Sequence, residues 1–249
     1  MKRSETTPRA LVTVDVGGNV MTAEVYTDEG FDLLTKLWVK VATERRLNYE
    51  QTWMGTPIIQ HPSDIVAIQE LLWKIRPQLV IETGIAHGGS LLLTASILEL
   101  IGTGGVIGID IDIRSEVRTM LEMHPLAHRI KLIEGSSVGG ATVAAVNEAA
   151  VNTATCLVVL DSCHDKEHVR EEMELYAPLV SVGSYMVVHD GSQAWVWDIP
   201  RGNHSWKDNN PLAAIHSFLE DHTEFIVDMD MTRYGITSSP DGWLLRVGE

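Results

Sequence analysis

Residues 79–90 read Leu79-Val80-Ile81-Glu82-Thr83-Gly84-Ile85-Ala86-His87-Gly88-Gly89-Ser90. A β-branched run ends in an acid and a glycine-rich turn, and an apolar helical stretch follows over 89–101. That order predicts a strand, a tight turn and a helix. Glycine lets the backbone turn sharply and approach a ligand, and the helix start offers free N–H groups. The spacing is G-x-x-x-G-G, not the dinucleotide fingerprint G-x-G-x-x-G, which favours a smaller, less anionic nucleoside over a pyrophosphate. A plain strand-to-helix turn is the competing reading.

The alternation repeats outward. Runs at Leu79–Glu82, Val106–Asp110, Arg129–Glu134, Cys156–Asp161 and Tyr185–His189 alternate with helical stretches at 89–101, 114–123, 138–150 and 166–177. Five strands joined by helical crossovers predict a parallel sheet covered on both faces. Two later runs, Glu224–Met231 and Trp243–Val247, are separated by a polar turn and are expected to pair antiparallel at the sheet edge. Asn210-Pro211 opens another helix. The stretch 191–210 carries Trp195, Trp197 and Trp206 and reads either as a lid or as a surface loop pinned by tryptophans. Upstream, 11–26 reads as a hairpin around Gly17-Gly18. Residues 29–47 read as a helix with Phe31, Leu34, Leu37, Trp38 and Val41 at helical spacing. A helix over 63–75 has Ser63 as its N-cap after Pro62. Residues 1–76 are thus an extension that caps the site or joins subunits, and 77–249 the main domain.

Composition narrows the function. The 249 residues carry 19 Lys+Arg against 34 Asp+Glu, a formal charge of -15. Phosphate neutralisation needs clustered Lys and Arg, so nucleic acid and anionic membrane surfaces are excluded as general partners. No apolar run reaches the ~18 residues of a membrane span. Met1-Lys2-Arg3 leads into polar residues rather than a signal core. Cys156 and Cys163 make no disulfide framework, which points to a reduced cytoplasm.

In open α/β sheets ligands bind beyond the carboxyl ends of the strands. Asp110 ends the second run, where a carboxylate suits a ribose diol; helix capping is the alternative. Asp161 ends the fourth run, and His189 and Asp190 end the fifth. Two carboxylates and an imidazole suit a divalent ion: Mg²⁺ for the carboxylates, with the imidazole softening the site toward Mn²⁺, Fe²⁺ or Zn²⁺. The alternative is that His189 only ends its strand and the aspartates bind alone. His164, three residues after Asp161, is a candidate general base for a metal-acidified hydroxyl. Its i,i+4 spacing to His168 lacks the zinc-protease order and reads as a solvated helix start. Gly135-Ser136-Ser137-Val138-Gly139 matches the nucleophile elbow of α/β-hydrolases, with Asp161 or Asp190 and His204 or His216 downstream. A serine hydrolase using Ser137 is therefore the rival. It leaves the glycine turn, Asp110 and the Asp161/His189/Asp190 group unexplained.

Further motifs carry a resemblance. Thr52-Trp53-Met54-Gly55-Thr56-Pro57-Ile58-Ile59-Gln60, Asp64, Gln69-Glu70, Ile81-Glu82-Thr83-Gly84, Gly88-Gly89-Ser90, Gly108-Ile109-Asp110-Ile111-Asp112, Asp161-Ser162-Cys163-His164 and Val187-Val188-His189-Asp190 are the residues concerned. Together they resemble class I S-adenosylmethionine (SAM)-dependent methyltransferases of the cephalosporin hydroxylase/rhamnosyl O-methyltransferase family over roughly 30–247. The resemblance implies a Rossmann-like α/β fold: a seven-stranded, mostly parallel sheet with its last strand antiparallel. It implies that Glu82, Thr83, Gly84, His87, Gly88, Gly89 and Ser90 hold the methionine end of SAM. Asp110 and Ile111 would serve the ribose, and Ser136 and Ser137 the adenine. Asp161, His189 and Asp190 would occupy the positions that hold Mg²⁺ (or Mn²⁺), with Asp161 also against the cofactor. His164 would stand where sugar-modifying relatives have their base. In those relatives the first member of the strand-five pair is acidic; here it is His189. The implied activity is O-methylation of a small-molecule hydroxyl on a sugar, a glycosylated natural product or a vicinal diol, by a homo-oligomer. A cofactor binder without turnover is the non-enzymatic alternative. A two-His-one-carboxylate oxygenase sits on a β-barrel, which this pattern does not suit.

Overall fold

The computed structural model describes residues 9–16 and 18–248. An antiparallel hairpin opens it, β1 (Leu11–Val16) and β2 (Asn19–Glu24), with the Thr13 and Thr22 hydroxyls 3.0 Å apart across the pair. Gly17 of the expected turn and the Met1–Pro8 stretch lie outside the described residues. Thr27 caps α1 (Asp28–Glu44), its Oγ1 accepting the Gly30 N–H at 3.1 Å. The helix is where the spacing puts it, but its apolar stripe faces outward: Phe31, Leu34, Trp38 and Val41 are each at least 40% exposed, while Val39 and Ala42 are buried.

A small hairpin follows, β3 (Thr52–Trp53) and β4 (Thr56–Pro57), closed by Met54 and Gly55 at φ 50° and 85° in a primed two-residue turn. α2 (Pro62–Ile75) begins one residue before the expected cap. His61 holds the cap position and Pro62 the first helical one, where a missing N–H loses no helical bond. Ser63 instead donates its hydroxyl to Ile236 O. Buried Asp64 accepts from Thr237 Oγ1 at 2.6 Å, Ser238 N–H at 2.8 Å and Ser238 Oγ at 2.9 Å, tying α2 to the loop before the last strand.

The main domain then alternates: β5 (Leu79–Thr83), α3 (Gly89–Ile101), β6 (Gly105–Asp110), α4 (Ser115–Met123), β7 (Ile130–Glu134), α5 (Gly140–Ala150), β8 (Cys156–Leu160), α6 (Lys166–Tyr176) and β9 (Tyr185–Val188). After it come α7 (Gln193–Val196), α8 (Pro211–Asp221), β10 (Phe225–Val227) and β11 (Trp243–Arg246). Asn210 caps α8, as expected, accepting the Ala213 N–H at 2.9 Å.

The sheet order is β7-β6-β5-β8-β9-β11-β10. Strands β5 to β9 are parallel, and β11 runs antiparallel to both its neighbours. The last two strands pair antiparallel at the sheet edge, as expected, with β11 inserted between β9 and β10. Its Trp243 and Leu244 are fully buried, which a strand with two neighbours achieves; Ile226 of β10, at the edge, stays exposed. Alternation along the strands divides the core. Val80, Val106, Leu157, Val159 and Val187 pack with α2, α3 and α4 on one face. Ile81, Ile107, Val158, Leu160 and Met186 pack with α5, α6 and α8 on the other. Among the described residues, no helix is long and apolar enough to cross a membrane. The chain reverses direction across the sheet between β5 and β8, so their tips form the switch point.

Candidate active site

Gly84, just after β5, sits at φ +86°, and a Cβ built there would lie 1.9 Å from the Asp161 carbonyl oxygen. The glycine therefore lets the tips of β5 and β8 touch. Asp161 N–H donates to Thr83 O at 3.0 Å and closes the seam. Gly89 performs the same service for another neighbour: its Cβ would meet Pro57 O at 2.2 Å. Two further N–H groups of the turn are held by Asp110. Its Oδ2 accepts from Ile85 N–H at 2.9 Å and Ala86 N–H at 3.3 Å, and its Oδ1 accepts from Asp112 N–H at 3.2 Å.

Two cavities lie over these tips and meet at Gly84, Asp110 and Ser162. One, of about 220 Å³, runs between the Gly84–Ser90 turn, Ile58–Gln60 and the Asp161 side. Gly84, His87, Gly89, Ser90, Asp110 and Asp161 line it. The other, of about 180 Å³, is lined by Asp110, Ile111, Ser136 and Ser137 together with Cys163 and His168. Glu82, Thr83 and Gly88 lie behind the walls. Thr83 Oγ1 accepts from Asp161 N–H at 3.3 Å, and Gly88 caps α3. Burial pushes the Glu82 carboxyl up to about 7, against the opposing hydrogen bond from Ser90, and its Oε2 is buried without a partner.

Beside the first cavity, donor atoms of Asp161, His164 and Asp190 come within 4.8 Å of one another. His164 Nε2 lies 3.1 Å from Asp190 Oδ2. Asp161 keeps access to the cavity but is largely enclosed. Burial, and then the facing carboxylates of Asp190, Glu82, Glu172 and Asp64, push its carboxyl well above the usual range. Asp190 reaches the group from a left-handed backbone, φ 59°.

The structure does not bring His189 into this group. Its ring is 2% exposed, with Nδ1 2.8 Å from Ser239 Oγ, Nε2 3.5 Å from Gln60 Nε2, and the ring edge-on to Trp243. The strand ends at Val188 and Asp190 turns into left-handed backbone at φ 59°, so 189 and 190 do not share a target. Burial pushes the His189 ring toward its neutral form. The third donor is His164, the residue expected to act as base.

Nor does Ser137 sit in a hydrolase triad. Its Oγ is 3.2 Å from His168 Nε2, but Glu172 Oε1 approaches that same nitrogen at 3.6 Å. A triad needs the acid on the opposite nitrogen from the serine. The hydrogen bond to Glu172, first, raises the His168 pKa, which suits a cation rather than a base. Ser162 Oγ donates to Glu172 Oε1 at 2.7 Å, completing a structural network. Of the histidines considered downstream, His216 pairs with Asp241 at 2.9 Å and His204 lies against Trp197. The wall residues Tyr49, Pro57–Gln60, Ser162, Cys163 and His168 were not singled out as site residues. The stretch 49–60 has no periodicity to place it, and a strand-tip rule alone does not say which residues of a following loop fold back.

This sheet order, with an antiparallel strand inserted and a two-lobed groove at the switch point, is the class I methyltransferase architecture. Residues 45–247 match the family model described as Rhamnosyl O-methyltransferase/CmcI, and the chain belongs to that family of methyltransferases. It is similar to the rhamnosyl O-methyltransferase of Mycobacterium leprae, 30% identical over 204 residues, 78% of this chain and 82% of that protein. The Mycobacterium tuberculosis protein of the same name is 29% identical over 202 residues, 78% of each chain. Among solved structures, apo CmcI superposes with a TM-score of 0.58 at 20% identity, covering 81% of this chain and 78% of that one. A CmcI structure with Mg and SAM gives 0.57 at 20% identity, covering 80% and 78%.

Proposed function

We propose that this methyltransferase moves the methyl group of SAM to a hydroxyl of a small molecule such as a sugar, a glycosylated natural product or another vicinal diol, with a divalent cation. The observation that carries this reading is the convergence of Asp161, His164 and Asp190 beside a groove whose two lobes meet at Gly84. The residues fit both groups. The lobes suit the two ends of a nucleoside sulfonium: the methionine end by the Gly84–Ser90 turn, the adenine by Ser136 and Ser137. Glu82 Oε2, buried and unpartnered, suits an ammonium group above it. Asp110, shared by both lobes, lies where a ribose would cross. The two carboxylates Asp161 and Asp190, with negative charge crowded enough to raise the Asp161 carboxyl, suit Mg²⁺ or Mn²⁺. The relatives named rhamnosyl O-methyltransferase and the CmcI structure with Mg and SAM support this reading.

Bound there, the sulfonium offers an electrophilic methyl carbon and the cation holds and acidifies a hydroxyl. The chain's own work is alignment and proton removal. Holding the reactants in line contributes up to ~7–11 kcal/mol, and a positioned base ~10²–10⁴-fold. His164 is the residue placed for the second task. Its Nε2 faces Asp190, so a proton carried on Nε2 would leave Nδ1 as the accepting nitrogen. His164→Ala is expected to lower kcat ~100-fold or more while SAH, the demethylated cofactor, binds with unchanged affinity. Turnover is read as SAH release and affinity by calorimetry. Full activity in the variant removes His164 from the reaction, and SAH binding without any turnover in the wild type leaves the binder reading.

Residues 1–76 serve, in this reading, as cap and assembly surface for the catalytic domain 77–249. Tyr49 and Ile58–Gln60 wall the reactive lobe, and the outward stripe Phe31, Leu34, Trp38 and Val41 is the kind of apolar face a second copy covers. Sedimentation is expected to give a homo-oligomer, and Trp38→Glu to shift it toward monomer; a monomeric wild type ends the assembly role.

A further inference from the structure

A further cavity, of about 340 Å³, shares Tyr49, His164 and Asp190 with the reactive lobe. Asp190 and His164 line it together with two arginines, Arg46 and Arg201. That pairing runs against composition, because acidic residues outnumber basic ones 34 to 19 in this chain.

Arg46 stands in a left-handed conformation, φ 57° and ψ 33°, just before the short 3₁₀ turn Leu47–Tyr49. Glycine or asparagine takes that conformation with less strain, so backbone preference does not explain the arginine. Its guanidinium lies 4.5 Å over the Tyr49 ring, and it joins none of the ion pairs among the described residues. Arg201 is held by its backbone, whose N–H donates to Glu44 Oε2 at 3.0 Å. Its Nε is only loosely paired, 3.7 Å from Glu44 Oε1. A guanidinium presents a planar fork matched to an oxyanion. Tyr49 and Trp206 add aromatic faces to its wall.

We infer that the acceptor carries an anionic oxygen group, a carboxylate or a phosphoryl, which Arg46 and Arg201 bind while the reacting hydroxyl lies at Asp190 and His164. The inference rests on the methyl-transfer reading and names the class of acceptor for that same site.

The test titrates the full chain, loaded with Mg²⁺ and SAH, with three probes that share one vicinal diol: catechol, 3,4-dihydroxybenzoate and 3,4-dihydroxyphenylphosphonate. Two exposed charge pairs worth about threefold each give an anion about tenfold tighter binding than catechol. The tighter of the two anions identifies the group. Arg46→Gln and Arg201→Gln are each expected to remove about threefold of that preference, and the double variant all of it. Equal affinity for the three probes overturns the inference. So does a preference that survives in the double variant, or binding of none of them by a protein that takes up SAH. A protein that does not bind SAH at all sinks the methyl-transfer reading and this inference with it, so the two failures are told apart in one titration.

Discussion

Asp161→Asn is expected to stop methyl transfer and, at pH 8, to raise the melting temperature. Both effects come from one arrangement. The Asp161 carboxyl is pushed well above its usual range by burial and then by Asp190, Glu82, Glu172 and Asp64 around it. A carboxyl with a raised folded-state value stabilises the fold while it is protonated. That contribution is fully present below the unfolded value of ~4 and is lost as pH rises through the folded value. Asparagine never takes the charge, so the variant escapes the loss. The stability curves of the two proteins are expected to diverge above pH ~4 and to converge below it. Glu82, raised to about 7 chiefly by burial, keeps a second decline in both proteins, worth about 3 kcal/mol. Mg²⁺ is expected to raise the melting temperature of the wild type and not of the variant. Activity should fall at least ~100-fold, since a charged donor at the reacting centre is gone. Thermal unfolding against pH, with and without Mg²⁺, reads the first set of effects, and SAH release reads the last. Near-normal turnover, or an equal rise in melting temperature with Mg²⁺ in both proteins, would show that Asp161 does not anchor the cation.

What the sequence discloses of this site follows the regularity of the backbone. Leu79–Thr83 and Cys156–Leu160 are apolar runs ended by polar residues, and parallel strands put such ends at one rim, so Gly84, Asp110 and Asp161 were legible. His189 was not, because its direction depends on where alternation stops. Asp190 turns left-handed at φ 59° and meets His164, while His189 still donates its N–H to Leu160 O at 2.9 Å and its ring meets Ser239. No local preference in Val188-His189-Asp190 announces that change. Ser137 misled for a related reason. The G-x-S-x-G spacing is a local pattern, whereas a triad is defined by which nitrogen meets the acid, and α6 brings His168 and Glu172 in on the same side. The α1 stripe shows the limit of periodicity itself. Phe31, Leu34, Trp38 and Val41 identify a helix, yet spacing does not say whether its own chain covers the face. β11 obeys a tertiary rule: a short run with Trp243 and Leu244 needs strands on both sides, and only the assembled sheet supplies them.

Gly84→Ala is expected to be the most damaging single methyl group that can be added near the site, and Gly102→Ala measures why. Both glycines sit at φ +86°, so both substitutions force alanine into left-handed backbone, at about 1–2 kcal/mol. At Gly102, after α3, the new Cβ meets nothing within 4 Å, and that strain is the whole effect. For a chain of this size it corresponds to a fall in melting temperature of roughly 2–8 °C. At Gly84 the Cβ would lie 1.9 Å from Asp161 O and 2.6 Å from Asp161 C, so β5 and β8 must part. Backbone is the obstacle, and no rotamer relieves it. Parting them strains the Asp161 N–H to Thr83 O bond at 3.0 Å and that from Gly84 N–H to Ile109 O at 2.7 Å. The added loss is several kcal/mol, enough to drop the melting temperature by more than ~10 °C or to prevent soluble expression. The same displacement shifts Asp161 relative to Asp190, so any protein that folds should bind Mg²⁺ poorly. Similar melting temperatures for the two variants would mean that the strand tips do not press together at Gly84, and the groove would then need another architect.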